Sequence, residues 1–246
     1  MLFKNKVVLV TGGSSGLGFA IAEAFASQGA ALIITGRRQA QLDEAVSSLG
    51  KNASAVCADI SNAADLAGLF RHISAVHGHI DVLIANAGMG ELEPLGAITE
   101  AGFDRVFATN VKGTTFTVQG ALPLMGEGSS VVVIGSTASI NPGPGMSVYG
   151  ATKAALRALV RSWILDIKGS GVRINLLSPG PVETQSLRDM LADNAQQVID
   201  ILTEKSTIGR IGQAHEIGQA ALFLASDASS YVNGAELFAD GGASQV

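Results

Sequence analysis

The fold is decided by residues 6–18, which read KVVLVTGGSSGLG. A short apolar strand, Lys6–Thr11, leads into a turn with glycine at positions 12, 16 and 18, and a helical pattern follows from Phe19 to Ala26. Glycine lets such a turn bend sharply and approach a pyrophosphate, while the helix N-terminus offers free N–H groups and a positive dipole end. The stretch predicts a dinucleotide-binding turn; an ordinary glycine-rich connection is the alternative.

Strand and helix patterns alternate along the whole chain. The apolar runs are mostly continuous, as expected for parallel strands covered on both faces. Right-handed crossovers then predict an α/β chain with a Rossmann fold, a doubly wound, seven-stranded parallel sheet with helices on both faces. The predicted strands are Lys6–Thr11, Ala31–Thr35, Ser54–Ala58, Val82–Asn86, Ser130–Ser136, Val172–Ser178 and Glu236–Ala239. The predicted helices are Leu17–Gln28, Gln39–Ser48, Asn62–His77, Glu100–Met125, Ser147–Lys168 and His215–Ala225.

One segment departs from this alternation. Residues 182–209 are long, mixed in character and without a strand pattern. Such an insertion is typical of a substrate-binding lid. We therefore expect one nucleotide-binding domain over residues 1–246 with a lid at about 183–209.

Composition excludes several classes of protein. Of 246 residues, 47% are hydrophobic and 15% charged, so the chain has a large core to bury, and a net charge of −5 without basic clusters argues against nucleic-acid binding. Cys57 is the single cysteine, which suits a reducing cytoplasm. The apolar run at 7–10 is too short for a signal peptide, and prolines and glycines interrupt the uncharged stretch 128–152, so no membrane span is expected.

A tyrosine and a lysine four residues apart carry the predicted chemistry. Tyr149 and Lys153 share one face at the start of a predicted helix. A free phenol has a pKa of about 10, and a nearby ammonium, together with the positive ring that a bound dinucleotide can carry, is expected to lower it toward the working range. Ser136 ends the fifth strand, and the loop 137–146 can return the chain so that Ser136 faces Tyr149. By itself, the Tyr-x-x-x-Lys spacing is also common on surface helices.

The spacing Gly-x-x-x-Gly-x-Gly, together with these side chains, resembles the short-chain dehydrogenase/reductase family, especially bacterial NADP-dependent alcohol dehydrogenases and ketoreductases. The resemblance covers residues 4–246. It implies that Tyr149 is the general acid/base, that Ser136 hydrogen-bonds the carbonyl oxygen, and that Lys153 binds the nicotinamide ribose. It also implies that Asn110 kinks the long fourth helix and holds a water that links Lys153 to solvent.

The residues after the second strand predict the cofactor. The chain reads Thr35-Gly36-Arg37-Arg38, with no carboxylate where an NAD enzyme holds the ribose 2′-hydroxyl. A guanidinium can bind a 2′-phosphate through two hydrogen bonds. NADP is therefore predicted in preference to NAD, and two solvated loop arginines are the alternative.

Further cofactor contacts follow from the glycine turn and from the resemblance. In the turn they are Gly12, Ser14, Ser15, Gly16, Leu17 and Gly18. After the third and fourth strands they are Asp59, Ile60, Asn86, Ala87 and Gly88. After the sixth strand they are Pro179, Gly180, Val182 and Thr184. The four histidines (His72, His77, His79 and His215) form no ligand-spaced set, so no metal is expected.

The expected substrate wall is apolar and favours a small hydrophobic ketone or alcohol. It comprises Met89–Leu95, Ile140, Met146 and the lid residues Leu187, Met190, Leu191, Val198, Ile199, Ile201 and Leu202. A dedicated biosynthetic dehydrogenase acting on a 3-oxoacyl, sterol or polyol group is the first alternative. A non-catalytic NADP sensor is the second. The family also implies a homotetramer that pairs through the fourth and fifth helices and the C-terminal strand.

Overall fold

A computed structural model describes residues 1–184, 187–188 and 195–246. Seven of its strands form one parallel sheet in the order β3-β2-β1-β4-β5-β6-β9. These strands are β1 (Val7–Thr11), β2 (Ala31–Gly36), β3 (Ala53–Cys57), β4 (Val82–Ala85), β5 (Ser130–Ile134), β6 (Arg173–Pro179) and β9 (Glu236–Ala239). The predicted doubly wound Rossmann fold is confirmed; the bounds of β9 are as predicted, and those of the other six strands differ by one or two residues.

Helices cover both faces of the sheet. They are α1 (Gly16–Ser27), α2 (Gln39–Leu49), α3 (Ala63–Val76), α4 (Glu100–Phe107), α5 (Thr114–Ala121), α6 (Ser147–Asp166), α7 (Ala195–Lys205) and α8 (Ala214–Ala225). One apolar core joins the sheet to α1, α2 and α8, and the other joins it to α3, α5 and α6. Side chains alternate between the two cores along each strand, so Val8 packs in the first core and Leu9 in the second. The strands are consequently apolar on both faces.

The fourth helix is not the continuous α-helix that we predicted over 100–125. It leaves α-helical geometry after Phe107, runs as a π-helix over Ala108–Gly113, resumes as α5 and ends in a 3₁₀ turn at Leu122–Leu124. A π segment widens the helix and often marks a functional site. This segment contains Asn110, whose amide is fully buried.

The segment at 182–209 also differs from the prediction that it lacks a strand. Val182–Glu183 forms the short strand β7, which pairs in parallel with β8 (Gly212–Gln213). Two residues are too few to show an apolar pattern, and their pairing partner lies almost thirty residues away. This small ladder anchors both ends of the predicted lid, and α7 lies between them.

The strand order reverses between β1 and β4, which separates the two halves of the sheet. In doubly wound folds a crevice opens at this point, outside the carboxyl ends of the strands. The glycine turn follows β1, and the segment from Asn86 to Gly88 follows β4. The fold thus brings two predicted cofactor segments to the same edge.

Candidate active site

A cleft of about 1090 Å³ lies at the carboxyl ends of the strands. It is continuous from the glycine turn to the end of α7, and its volume suits a dinucleotide with a small second molecule. It is lined by every residue predicted to bind the cofactor: Gly12, Ser14, Ser15, Gly16, Leu17, Gly18, Arg37, Arg38, Asp59, Ile60, Asn86, Ala87, Gly88, Tyr149, Lys153, Pro179, Gly180, Val182 and Thr184. Ser136 also lines it.

The glycine turn is held in a shape that few other residues tolerate. Gly12 has a φ of +65°, in the left-handed region. A Cβ on Gly18 would lie 2.1 Å from the Gly12 carbonyl oxygen and 2.4 Å from Asn86 Nδ2, so only glycine lets α1 begin this close to the turn. Ser15, the N-cap of α1, makes no side-chain capping bond. The first N–H groups of α1 therefore remain available to an anion.

Polar side chains brace this turn from β1 and β4. Asn86 Nδ2 donates to the carbonyl oxygens of Thr11 at 2.9 Å and Gly12 at 3.2 Å. The Thr11 hydroxyl accepts from the backbone N–H groups of Asn86 and Ala87, both at 3.0 Å. Asn86 and Ala87 thus line the cleft and also fix the backbone of the turn.

Ser136 and Tyr149 line the same cleft and lie next to each other, as the returning loop predicted. Ser136 lies two residues after β5 and accepts a hydrogen bond from Ala138 N at 3.1 Å, which starts the 3₁₀ turn Thr137–Ser139. Tyr149 lies in the first turn of α6. Lys153, one turn further on, donates from Nζ to the Ile134 carbonyl oxygen at 2.8 Å. Its Nζ lies 5.7 Å from the centre of the Tyr149 ring, so the two side chains share the predicted face.

Burial governs the titration of both groups. It raises the pKa of the Tyr149 phenol, and hydrogen bonding with Ser136 lowers this pKa by a smaller amount. Lys153 is not among the causes of this shift, and the lowering of the Tyr149 pKa that we predicted from Lys153 with a bound cofactor stays a prediction. Burial also lowers the pKa of Lys153 to about 8. The contribution of a positive nicotinamide ring stays a prediction.

Asn110 does not line the cleft but stands directly behind it. Its Oδ1 accepts from Met89 N at 2.8 Å, and its Nδ2 donates to Met89 O at 2.8 Å and to Thr152 Oγ1 at 3.0 Å. Thr152 in turn donates to the Tyr149 carbonyl oxygen at 2.7 Å. The side chain thus joins the segment after β4 to the helix that carries Tyr149. The predicted water relay stays a prediction.

The residues present fit a nicotinamide dinucleotide. The uncapped N-terminus of α1 suits the pyrophosphate, and Lys153 Nζ, which faces the cleft beside Tyr149, suits ribose hydroxyls. At the adenosine end, the Gly36 backbone comes close to the Ser14 side chain, since a Cβ on Gly36 would lie 3.3 Å from Ser14 Oγ. Arg37 and Arg38 lie on the cleft wall beside Gly36. Asp59 Oδ1 accepts from the backbone N–H and hydroxyl of Ser61, at 2.8 Å and 2.7 Å, and so shapes the turn below this end.

The substrate end of the cleft differs in part from the prediction. Met89, Leu92, Met146, Leu187, Val198 and Leu202 line it as expected. Ile140 and Leu95 are exposed and stand apart from the lining, Ile199 is buried, and Ile201 is exposed. Met190 and Leu191 lie outside the described residues. Glu91, which lies within the predicted range Met89–Leu95, lines the cleft too. The sequence did not reveal Asn141, Lys205, Ala243 and Ser244, which also line it.

Tertiary contacts hold several of these residues at the cleft. Thr207, beyond the end of α7, donates from its hydroxyl to the Gly241 carbonyl oxygen at 2.9 Å, which brings the C-terminal segment to the cleft wall. Glu91 is held by a two-bond ion pair with Arg105, at 3.1 Å and 2.9 Å. A spacing rule along the chain could not have found either contact.

Within the described ranges, no helix combines the length and the apolar character that a bilayer crossing requires. Across the same part of the chain, no group of three or more His, Cys, Asp or Glu side chains is arranged to hold a metal ion.

The chain is similar to known proteins in sequence and in fold. A family model described as enoyl-(acyl carrier protein) reductase matches residues 12–244. The chain is 43% identical to oxidoreductase asL5 of Sarocladium schorii, over 98% of this chain and 97% of that one, and 33% identical to short-chain dehydrogenase/reductase SDRA of Arabidopsis thaliana, over 97% and 94%. A crystal structure from Brucella melitensis, a short-chain dehydrogenase/reductase described as glucose/ribitol dehydrogenase, superposes with a TM-score of 0.93 at 30% identity and covers 98% of each chain.

A Rossmann fold whose glycine turn meets a serine, a tyrosine and a lysine in one cleft is the architecture of an oxidoreductase with a nicotinamide cofactor. The chain belongs to the short-chain dehydrogenase/reductase family.

Proposed function

We propose that the chain interconverts a carbonyl group and a secondary alcohol on a small hydrophobic substrate, with NADP(H) as cofactor. The juxtaposition of Ser136, Tyr149 and Lys153 in the same cleft as the glycine turn carries this proposal. When bound, the nicotinamide would supply or accept the hydride. The side chains of the protein are left to orient the substrate and to move one proton.

Tyr149 is the proton donor in the reducing direction and the acceptor in the oxidising direction. Its phenol is partly buried at the cleft wall, where Ser136 also lies, so the two hydroxyls can reach the same substrate oxygen. Lys153 binds the ribose hydroxyls of the cofactor. Its ammonium is held in place by the hydrogen bond to the Ile134 carbonyl oxygen and lies beside the Tyr149 ring. Asn110 keeps the Met89 segment and α6 in register behind these groups.

The preference for NADP rests on charge at the adenosine end. Arg37 and Arg38 are exposed on the cleft wall, and Gly36 stands where a carboxylate would repel a 2′-phosphate. A guanidinium in this position can form two parallel hydrogen bonds to phosphate.

The preference for a hydrophobic substrate rests on the opposite end. Leu92, Met146, Val198 and Leu202 form most of its wall, and the segment 183–209 acts as a lid over it. The description of the matching family model favours a second candidate, a reductase of thioester substrates on acyl carrier protein. Acyl carrier protein is acidic and would need a basic surface on this chain to bind. The stretch 120–130 offers Glu127 and no lysine or arginine.

We further propose a homotetramer that works in the cytoplasm. Phe103 on α4, Phe116 on α5 and Leu165 on α6 are exposed, and their helices are the ones through which the family resemblance predicts pairing. The exposed free thiol of Cys57 suits a reducing compartment. Light scattering at low protein concentration tests the assembly, and a monomer would contradict it.

A ketone panel assayed with NADPH and with NADH tests the proposed activity. Tyr149→Phe should reduce turnover by about 10²–10⁴-fold and leave NADPH binding intact, because it removes the transferable proton alone. Arg37→Ala should weaken NADPH binding and leave NADH binding unchanged, with Arg71→Ala, an exposed arginine on α3, as the control. Absence of turnover by the wild type across the panel would favour the sensor alternative, and an unchanged preference in Arg37→Ala would contradict NADP.

A further inference from the structure

A partly buried charged cluster lies behind the active site, outside the cleft lining. Its members are Ser139, Arg157, Ser178 and Glu236. The side chain of Arg157 is 22% exposed and that of Glu236 only 9%. A buried ion pair is not a general source of stability, because an apolar pair of similar size often serves as well. The proposed mechanism uses none of these four side chains, so their arrangement calls for another explanation.

The cluster is closely hydrogen-bonded. Arg157 Nε donates to Glu236 Oε2 at 2.5 Å, and Arg157 Nη2 donates to Ser139 Oγ at 2.5 Å. Ser178 Oγ donates to Glu236 Oε1 at 2.7 Å, and Ser139 Oγ lies 3.5 Å from the same oxygen. Charge-assisted bonds of this kind are shorter and more directional than neutral ones. The two serine hydroxyls are therefore held in fixed positions.

These bonds join four elements that meet around the catalytic groups. Arg157 lies on α6, one turn beyond Lys153, and Ser139 closes the 3₁₀ turn that begins directly after Ser136. Ser178 belongs to β6 and Glu236 to β9. The cluster thus ties the helix that carries Tyr149 to the turn that carries Ser136.

A second contact joins the same helix to the same turn. A Cβ on Gly150, the residue after Tyr149, would lie 2.7 Å from the Ala138 carbonyl oxygen, so the two backbones touch there. The Ala138 N–H donates to Ser136 Oγ at 3.1 Å. The turn is consequently fixed to α6 at two points, one beside Tyr149 and one at Arg157. Two fixed points prevent the turn from pivoting, which one point could not do.

We propose that Arg157, Glu236 and Ser139 are positioning residues that set the Ser136 hydroxyl against the Tyr149 hydroxyl. The inference rests on the proposed function, which gives those two hydroxyls a shared substrate oxygen. Groups that act together on one oxygen must be held to within about half an ångström, and supporting hydrogen bonds supply that precision.

Ser139→Ala tests the proposal because it removes the link to the turn and leaves the Arg157–Glu236 pair in place. We expect kcat for ketone reduction to fall about tenfold, since a misplacement of 1 Å can cost about 10²-fold. The Kd for NADPH and the melting temperature should stay near wild type. The double variant Arg157→Met/Glu236→Leu replaces the ion pair with an apolar pair and should show the same loss. Lys6→Met, which breaks the Lys6–Asp81 pair at the amino ends of β1 and β4, opposite the cleft, should leave kcat unchanged.

A second readout does not depend on turnover. The chain has two tyrosines, and Tyr231 is fully exposed, so ultraviolet titration in a Tyr231→Phe background reports Tyr149 alone. Ser139→Ala should move the Tyr149 midpoint to higher pH, and Ser136→Ala should do the same, because both changes weaken the interaction with Ser136 that lowers this pKa. Lys153, the titratable group beside the ring, is unchanged in both variants. Circular dichroism on the same samples checks that the chain stays folded.

The two readouts separate the possible failures. If the wild type turns over no carbonyl or alcohol, the proposed function fails, and the Tyr149 titration still decides whether the cluster positions Ser136. If Ser139→Ala and the double variant change the melting temperature alone, with kcat and the Tyr149 midpoint as in wild type, the cluster is structural and the proposal is overturned.

Discussion

The two ends of the cleft are built in different ways. At the cofactor end the wall is largely backbone and buried polar groups, for example the Gly12 carbonyl oxygen held by Asn86 Nδ2 at 3.2 Å. At the substrate end the wall is made of side chains, and several of them are solvent-exposed, for example Leu92 at 49% and Lys205 at the end of α7. The glycine turn is thus determined by main-chain geometry, whereas the wall at Arg37 and Arg38 and the substrate end depend on the choice of side chains.

This difference indicates where each property of the enzyme resides. Backbone groups cannot be replaced by mutation without moving the chain, so dinucleotide binding should be sensitive to any added atom at its end of the cleft. Side chains on loops and on a lid can be exchanged with little effect on the fold. Substrate preference should therefore change at the substrate end without loss of cofactor binding.

The largest effect is expected from Gly18→Ala at the cofactor end. The added methyl group would lie 2.1 Å from the Gly12 carbonyl oxygen, so the turn or the start of α1 must move. We expect loss of NADPH binding in a titration and a destabilisation of about 1–3 kcal/mol, the usual cost of overpacking.

Gly68→Ala is the matched control, since it is another helical glycine. An added Cβ there meets only Arg71 Nη2, at 3.9 Å. This change should leave NADPH binding intact and stabilise the chain by up to about 1 kcal/mol through helix propensity. If Gly18→Ala and Gly68→Ala had the same affinity for NADPH and the same free energy of unfolding, the close approach of Gly18 to the Gly12 carbonyl oxygen would not matter for either property.

An effect of intermediate size is expected from the titration of Lys153, which is buried at the cofactor end. It concerns the pH dependence of the free energy of unfolding. Burial lowers its folded-state pKa to about 8 from 10.5, so the unfolded chain binds more protons between those two values. The free energy of unfolding should then rise with pH across this window, by up to about 3 kcal/mol. Lys153→Met should lack the rise, as measured by urea unfolding of both proteins at pH 7.5 and pH 10. The raised pKa of Tyr149 acts in the opposite direction only above about pH 10.

Lys205→Met provides the comparison at the substrate end. Because this lysine is exposed, its ammonium stays in water when the chain folds. The variant should follow wild type in its pH dependence. If Lys153→Met also followed wild type, the ammonium of Lys153 would not be desolvated, and the contrast between the two ends would be weaker than we infer.

The smallest effect is expected from Leu202→Ala at the substrate end. Leu202 is partly buried and lines the cleft, so its loss should reduce kcat/KM for bulky ketones by about 10–200-fold and have little effect on acetone-sized ones. Steady-state kinetics should show an unchanged KM for NADPH. Ile201→Ala, on the exposed side of the same helix, should change neither parameter. If Ile201→Ala reduced kcat/KM for bulky ketones as much as Leu202→Ala, then α7 would act through its own stability and not through contact between Leu202 and the substrate.

Much of the fold was predictable from local signals. The strands β1, β4 and β5 are fully buried apolar runs, and their pattern alone identified them. The π segment at 108–113 was not predictable, because apolar spacing along a helix changes little when one turn widens. The ladder of β7 and β8 was missed because each strand has two residues and because pairing between distant segments leaves no local pattern.

By itself, the sequence determined the chemistry that is available: a glycine turn after a strand, a tyrosine and a lysine one helical turn apart, and a serine at the end of a strand. These are short-range patterns, and backbone geometry converts them directly into local structure. The tertiary structure alone decided how the groups behave. Burial raises the pKa of Tyr149, and contacts across 79 residues of sequence bring Arg157 to Glu236, because desolvation and packing depend on which distant segments meet.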